Sequence, residues 1–293
     1  MSAYYLNIEK EQQKQILGNL KEKLGFSWAQ LAKSIGVSRG MIFLYNRGKN
    51  RIPYLSLIKL CEIAKLDLTN YSLKIIDINN KTKHIHTPPL TEDLAEFLGI
   101  LSGDGCLTKP YCTAITCNNL VDKYYVKNRV RELCINLFQA VPTIRVQKNA
   151  IHIRVYSKEL FNFLKNKYDF PEGLKKNKLK IPIKILQKEK LVKAFLRGVF
   201  DTDGSFHKHH KNTAAIEITS ASKTFLEEIR DALSTFGFSV CLSGISTYIY
   251  DSKQIDLFFK KIKPNNLKHI YKYNFFKKKG YVPTHNETIA AVV

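Results

Sequence analysis

Two apolar stretches that end in Asp-Gly, FLGILSGDG (Phe97 to Gly105) and LRGVFDTDG (Leu196 to Gly204), align so that Ala95 meets Ala194, Gly99 meets Gly198, Asp104 meets Asp203 and Gly105 meets Gly204. In each copy small residues recur every fourth position: Ala95, Gly99 and Gly103 in the first, Ala194, Gly198 and Thr202 in the second. That period places them on one face of a helix. A glycine inside a helix costs about 1 kcal/mol relative to alanine, so matched glycines in both copies call for close approach of two backbones. The spacing predicts two helices packed on each other through these faces, within a duplicated domain.

Crossed in that way, Asp104 and Asp203 emerge side by side at the helix C-termini, where the macrodipole disfavours an anion by about 0.3–1 kcal/mol. Two carboxylates in a disfavoured position call for a cation. Carboxylate and carbonyl oxygens suit a hard divalent ion, Mg²⁺ or Mn²⁺. Such a site supports displacement at phosphorus and therefore phosphodiester hydrolysis. The alternative is a pair of buried helices capped by Gly105 and Gly204 at C′, with solvated aspartates. Recurrence of the small face, the aspartate and the glycine together favours the metal site.

At these residues the chain resembles the LAGLIDADG homing endonucleases, in the single-chain form with two motif copies. The similarity extends over about residues 88 to 280. The resemblance implies an α+β fold of two pseudo-symmetric αββαββα repeats, residues 90–186 and 187–280, whose sheets form a saddle on double-stranded DNA. It implies a site-specific, metal-dependent endonuclease in which Asp104 and Asp203 are the metal-binding and catalytic aspartates. The carbonyls of Gly103 and Thr202 would also face the metal. Ser102 stands where the family's sixth motif letter is aspartate, whereas Asp201 keeps it; the change bears on helix packing. Related enzymes hold a basic residue near the scissile phosphate, which maps onto Lys176, Lys178 or Lys268 in a lysine-rich region. The resemblance further implies a monomer with internal pseudo-twofold symmetry. Two alternatives remain open: a DNA-binding transcription regulator that does not cut, and an intron maturase that binds RNA on the same saddle.

Whole-domain duplication has further support. SKELFNFLK (Ser157 to Lys165) resembles SKQIDLFFK (Ser252 to Lys260), each opening on a serine suited to cap a helix. Alternation predicts strands over Cys112 to Cys117, Thr143 to Gln147 and Ile151 to Tyr156, and again over Ala214 to Thr219, Phe238 to Leu242 and Thr247 to Tyr250. Helical patterns over Asp122 to Phe138 and Ser222 to Phe236 separate them. Gln147 lies on a predicted strand and is a candidate base reader. His207, His209 and His210 follow Asp203 and suit contact with DNA or a metal, or an exposed polar turn.

Forty-seven Lys and Arg against 25 Asp and Glu give a net charge of +22. The excess is +8 over residues 1–85 (14 basic, 6 acidic) and +14 over the remainder (33 basic, 19 acidic). Both parts favour a polyanion. The six cysteines lack CxxC pairs, nothing resembles a signal peptide, and no apolar run approaches the roughly 20 residues that span a bilayer. The expectation is a soluble intracellular protein, cytoplasmic or nucleoid-associated, with reduced thiols.

Residues 1–70 carry an independent signal. Leu31, Ala32 and Ile35, then Gly36-Val37-Ser38, then Ile42 and Tyr45 predict two short helices joined by a tight turn. This resembles the helix-turn-helix of phage-repressor-like proteins in a small all-α domain. The resemblance implies that Ser38, Arg39, Gly40 and Phe43 face the major groove and that Arg47, Lys49 and Arg51 meet phosphate. Residues 71–89 read as a linker or a hairpin about Asn79-Asn80, closed by Pro88-Pro89, and residues 281–293 read as a tail. His285-Asn286 is similar to the end of an intein, but no Cys, Ser or Thr follows, which argues against self-splicing.

Overall fold

The computed structural model describes residues 5–7, 9–66, 74–76, 85–108, 111–211 and 213–292. The chain divides into two units, residues 1–82 and 83–293.

The first unit runs β1 (Tyr5–Asn7), α1 (Lys10–Leu24), α2 (Trp28–Ser34), α3 (Arg39–Asn46), α4 (Tyr54–Ala64) and β2 (Lys74–Ile76). Ser27 opens α2 with a reciprocal capping box: its hydroxyl accepts from the Gln30 amide at 3.3 Å and Gln30 Oε1 accepts from the Ser27 amide at 2.8 Å. Ser38 caps α3 by accepting from the Met41 amide at 3.2 Å. Between the two helices Gly36 takes φ +73°, a left-handed turn that favours glycine. Ile16, Leu17, Leu20, Leu31, Ile42, Leu57 and Leu60 form the core. The buried Gln13 joins α1 to the end of α3: its Nε2 donates to the Tyr45 carbonyl at 2.6 Å and the Asn50 carbonyl at 2.9 Å, and its Oε1 accepts from the Ile52 amide at 3.1 Å. The expected hairpin about Asn79-Asn80 lies outside the described residues. Lys74–Ile76 pairs antiparallel with Tyr5–Asn7, which adds a two-stranded ribbon to the helical domain.

The second unit holds both repeats. The first is α5 (Glu92–Asp104), β3 (Gly105–Thr108), β4 (Cys112–Asn118), α6 (Lys123–Tyr125), a π turn (Val126–Val130), α7 (Arg131–Phe138), β5 (Thr143–Gln147), β6 (Ala150–Tyr156) and α8 (Lys158–Tyr168). The second is α9 (Glu189–Asp203), β7 (Gly204–Lys208), β8 (Ala214–Thr219), α10 (Lys223–Ser234), β9 (Cys241–Ser243), β10 (Ser246–Ile249) and α11 (Ser252–Ile262), followed by α12 (Leu267–Lys279) and α13 (His285–Val292). Two four-stranded antiparallel sheets result, ordered β3-β4-β6-β5 and β7-β8-β10-β9. The α+β class and its repeated order agree with the sequence reading. β3 and β7, the first strand of each sheet, belong to the expected αββαββα order, and the structure supplies the ranges that alternation did not.

α5 and α9 pack along the small-residue faces. A Cβ on Gly99 would stand 2.1 Å from the Phe195 carbonyl oxygen, and one on Gly198 would stand 2.2 Å from that of Glu96. Gly105 and Gly204 are not left-handed C′ caps: both are extended, with φ −96° and −86°. They are glycine because the chain doubles back closely on its helix, so that a Cβ at Gly105 would lie 2.6 Å from Leu101 Cα. Ser157 caps α8 as expected, whereas α11 is capped by Asp251, whose Oδ1 accepts from the Gln254 amide, with Ser252 as the first helical residue.

The segment 281–293, read as a tail, carries α13 with Thr288 buried. Its start is a Thr284/Glu287 capping box, in which the Thr284 amide donates to Glu287 Oε2 at 2.7 Å and the Glu287 amide to Thr284 Oγ1 at 3.3 Å. That signature is present in the sequence and outweighs the terminal position.

On α12, His269 is 1% exposed, lies 4.4 Å centroid to centroid from Phe200, and has no hydrogen bond at either ring nitrogen. Burial, then the charges of Lys268 and Lys272, hold its pKa well below the ordinary value, against the Phe200 and Asp201 main chain, which favours protonation. A histidine depressed in the folded state stabilises the fold above its unfolded pKa of about 6.5, and the contribution is lost as pH falls below that value. His269→Leu is therefore expected to gain on wild type by about 1.4 kcal/mol per pH unit between pH 6.5 and 5 in urea unfolding. A pH-independent difference would refute the neutral buried ring. Comparison with the variant is needed because Asp201, raised to about 7 mainly by burial, shifts stability in the opposite sense over this window.

Candidate functional site

Each sheet begins where a central helix ends, so the last residues of α5 and α9, Asp104 and Asp203, share one end of the helix pair. A Cβ on Gly103 would lie 2.0 Å from Thr202 Oγ1 and 3.3 Å from Asp203 Cγ, which shows how closely the two C-termini approach. Burial raises the Asp104 carboxyl above the ordinary range, opposed by the Cys117 thiol and by Lys268 and Lys175. Burial, then the charge of Asp104, raises Asp203 to about 7, opposed by Lys175 and Lys268. The pair is electrostatically costly and draws cations.

Two lysines answer it. Lys175 donates its ammonium to the carbonyls of Leu101, Ser102 and Gly103, the open end of α5. Burial lowers its pKa, and Asp203 and Asp104 hold it up. Lys268 Nζ is 2.9 Å from Asp122 Oδ1. Asn266 Nδ2 donates to the same Asp122 oxygen at 2.7 Å and to the Asp201 carbonyl at 2.9 Å. The Asp201 carboxylate accepts the amides of Asn265 and Asn266 at 2.9 and 3.1 Å, fixing the turn that starts α12 and so the base of Lys268. Ser102, its counterpart, only donates to the Leu98 carbonyl of its own helix at 2.8 Å.

The Asp pair and Lys268 are thus brought together, but Lys176 and Lys178 are exposed and Lys175 is the lysine that reaches the site. The Gly103 carbonyl, expected to face a metal, accepts from that ammonium. Thr202 turns its hydroxyl into its own helix, to the carbonyls of Gly198 and Val199. Sequence reasoning passed over Lys175, Asp122 and Cys117. A lysine in a lysine-rich run carries no individual signal.

Farther along the helix pair, Glu96 is fully buried and satisfied from three directions. Its oxygens accept from Arg129 Nε and Nη2 at 2.9 and 2.8 Å, Arg197 Nη1 at 3.2 Å and Asn265 Nδ2 at 2.8 Å. This hub joins both repeats to the turn that holds Lys268.

Residue alternation gives each sheet one apolar and one polar face. On β6, Ile151, Ile153 and Val155 enter the core, leaving His152, Arg154 and Tyr156 on the opposite face. Arg145 is paired with His152, and the exposed Gln147 with Ala150. In the second sheet the polar face holds Glu217 beside Tyr248, whose hydroxyl donates to it at 2.8 Å, with His207 Nδ1 3.6 Å away. His209 and His210 are exposed, and His209 lies against Tyr250 at 4.4 Å.

Oxygen donors, a raised carboxyl pair and carbonyls already drawn to an ammonium suit a hard cation. Among the described residues, no group of three or more His, Cys, Asp or Glu side chains forms a metal cage. Any ion here would be held by two carboxylates supplemented by other oxygens. No helix among the described residues is long and apolar enough to cross a membrane.

In the first unit, Ser38, Arg39 and Gly40 lie exposed at the start of α3, while Phe43 is half-buried between Trp28, at 5.9 Å, and the Arg39 guanidinium, at 5.8 Å. Arg47, Lys49 and Arg51 are exposed beyond its end.

Residues 190–263, from the start of α9 to just past α11, match the family model of the LAGLIDADG-like domain. The replication factor C small subunit of Methanocaldococcus jannaschii is 37% identical over 148 residues, which cover 50% of this chain and 7% of that protein. Elongation factor 2 of Methanopyrus kandleri is 23% identical over 87% of this chain and 20% of its own length. The chain spans a fifth or less of both relatives. Among solved structures, the N-terminal LAGLIDADG domain of WhiA is similar with a TM-score of 0.45 and 20% identity over 61% of this chain and 86% of that one. I-DmoI in complex with DNA and Mn is similar with a TM-score of 0.42 and 18% identity, over 58% and 96%.

Proposed function

We propose that the second unit is a site-specific, metal-dependent endonuclease of double-stranded DNA. The observation that carries this reading is the Asp104/Asp203 pair, set at the shared C-termini of α5 and α9 between Lys175 and Lys268. Two polar sheet faces bearing Arg145, His152, Arg154 and Gln147 on one side and His207, Glu217 and Tyr248 on the other supply base-edge donors and acceptors for a major groove. The match of residues 190–263 to the LAGLIDADG-like model supports the same reading. The curated relatives bear unrelated names and match this chain over only a minor part of their own length, so the shared segment and not the named activities is what transfers.

A divalent ion bound by Asp104 and Asp203 supplies Lewis acidity and charge neutralisation at a phosphodiester. The carboxylates of Asp104 and Asp203, one from each repeat, would hold it. Lys268, fixed by Asp122, and Lys175 offer ammonium groups to the charge that builds on phosphate oxygens. Glu96 and Asp201 keep the turn before Lys268 in position. In the first unit, α3 offers Ser38, Arg39, Gly40 and Phe43 toward a groove and Arg47, Lys49 and Arg51 toward phosphate, extending the contact with DNA.

One observation favours a second reading, a DNA-binding regulator that does not cut: Lys175 already seats a cation on the carbonyls at the end of α5. The experiment that separates the two is a selection from randomised and genomic duplexes in Mg²⁺ and in EDTA. A discrete sequence cut only with metal is expected. Enrichment of bound but uncut molecules, in either buffer, would replace the endonuclease by the regulator.

A further inference from the structure

The N-terminal ends of α5 and α9, remote from the aspartates, border a cleft of about 450 Å³. Its walls carry Lys190, Lys193, Arg197, Lys260 and Lys263, with Glu92 as the acid among its lining residues. Asp203 lies thirteen positions beyond Lys190 on α9, about 20 Å at 1.5 Å per residue. A phosphate in this cleft is therefore not one that the aspartates can reach.

The cations differ in commitment. Arg197 is fixed on buried Glu96 and donates to the Ile262 carbonyl at 2.9 Å. Lys193 is paired with Glu189. Lys190 meets Glu92 only loosely, at 3.7 Å between two groups that are more than half exposed. Lys260 and Lys263 are exposed and form no ion pair among the described residues. The backbone brings them here through α11, which ends at Ile262 beside Arg197 and leaves Lys263 in a left-handed cap at φ +55°. The positive end of the α9 macrodipole adds to the field. Ammonium groups around a concave wall, two of which, Lys260 and Lys263, have no acidic partner among the described residues, suit a ligand carrying several negative charges, and a chain of phosphates supplies them at regular spacing.

We infer that this cleft binds the phosphodiester backbone of a second nucleic-acid segment, at the pole opposite the paired aspartates. The inference does not depend on cleavage. It is tested on the full chain by lysine acetylation read by mass spectrometry, alone, with a saturating non-specific duplex at low salt, and with tripolyphosphate. With duplex, acetylation of Lys190, Lys260 and Lys263 is expected to slow at least about fivefold, and equally in the Asp104→Asn protein, so that this site is read separately from the cutting site. A Lys260→Glu/Lys263→Glu double variant is expected to weaken duplex binding about tenfold and to lower the slope of log K against log salt by about two. Lys190→Gln, a milder change, is expected to move both quantities in the same direction. Unchanged acetylation at saturating duplex overturns the inference, as does a folded double variant with the wild-type salt slope. Protection by tripolyphosphate but not by duplex assigns the cleft to a free polyphosphate and overturns the nucleic-acid assignment.

Discussion

Asp104→Asn and Asp203→Asn are each expected to reduce double-strand cleavage at a selected target by a factor of about a thousand or more, while leaving target affinity within a few-fold of wild type. The magnitude follows from the loss of one carboxylate of the pair that meets at the shared ends of α5 and α9. The two variants also carry a readout that a scaffold role would not produce. In metal-free buffer near pH 8, above the value of about 7 to which Asp203 is raised, the wild-type pair is ionised and repels. Removing either charge relieves that repulsion, so the thermal midpoint without metal is expected to stay level or rise. An added divalent ion should raise the midpoint of wild type and not of the variants. Loss of activity together with loss of fold would assign the aspartates to structure. Full cleavage by either variant would remove them from the chemistry.

The aspartates were legible because both copies wrote the same local rule, a small face at helical spacing ending in Asp-Gly. What surrounds them was not legible, and the reason is sequence separation. Glu96 reads as an ordinary polar residue in a helix pattern, and only the fold shows it neutralised by Arg129 and Arg197, the latter 101 residues away. Lys175 reaches the carbonyls of Leu101 to Gly103 from an irregular segment whose path no periodicity encodes. β3 and β7 are four and five residues long and begin at the very glycine that ends each helix, so the apolar helix pattern conceals them. β2 finds its partner near the amino terminus at Tyr5–Asn7, a pairing across about seventy residues that no local pattern signals. The Thr284/Glu287 box, by contrast, was a local signal available to be read and was passed over because of its position near the end of the chain.

The close approach of α5 and α9 is expected to make alanine, normally the better helix former, severely destabilising at Gly99 and Gly198. In a helix without neighbours the exchange favours alanine by up to about 1 kcal/mol. Gly18 on α1, where an added Cβ meets nothing within 4 Å, supplies that baseline: Gly18→Ala is expected to raise the denaturant midpoint reported by the fluorescence of Trp28, the single tryptophan. At Gly99 the same methyl would stand 2.1 Å from a backbone oxygen of the facing helix, and at Gly198 2.2 Å. Neither obstacle is a side chain that can rotate away, so the helices must separate. Separation withdraws dispersion contacts along the seam and pulls Glu96 from Arg197 across it. Each substitution is expected to cost at least about 3 kcal/mol, more than a typical point mutation. The measurement is urea unfolding followed by far-ultraviolet circular dichroism, which reports the second unit through its helices. Midpoints within about 0.3 M of wild type at both positions, about 1 kcal/mol or less, would show that the seam can widen at little cost. The same separation moves Asp104 away from Asp203, so any folded fraction of Gly99→Ala or Gly198→Ala should lose cleavage before it loses DNA binding. That order of loss distinguishes a helix seam that sets the spacing of the aspartates from one that only holds two sheets together.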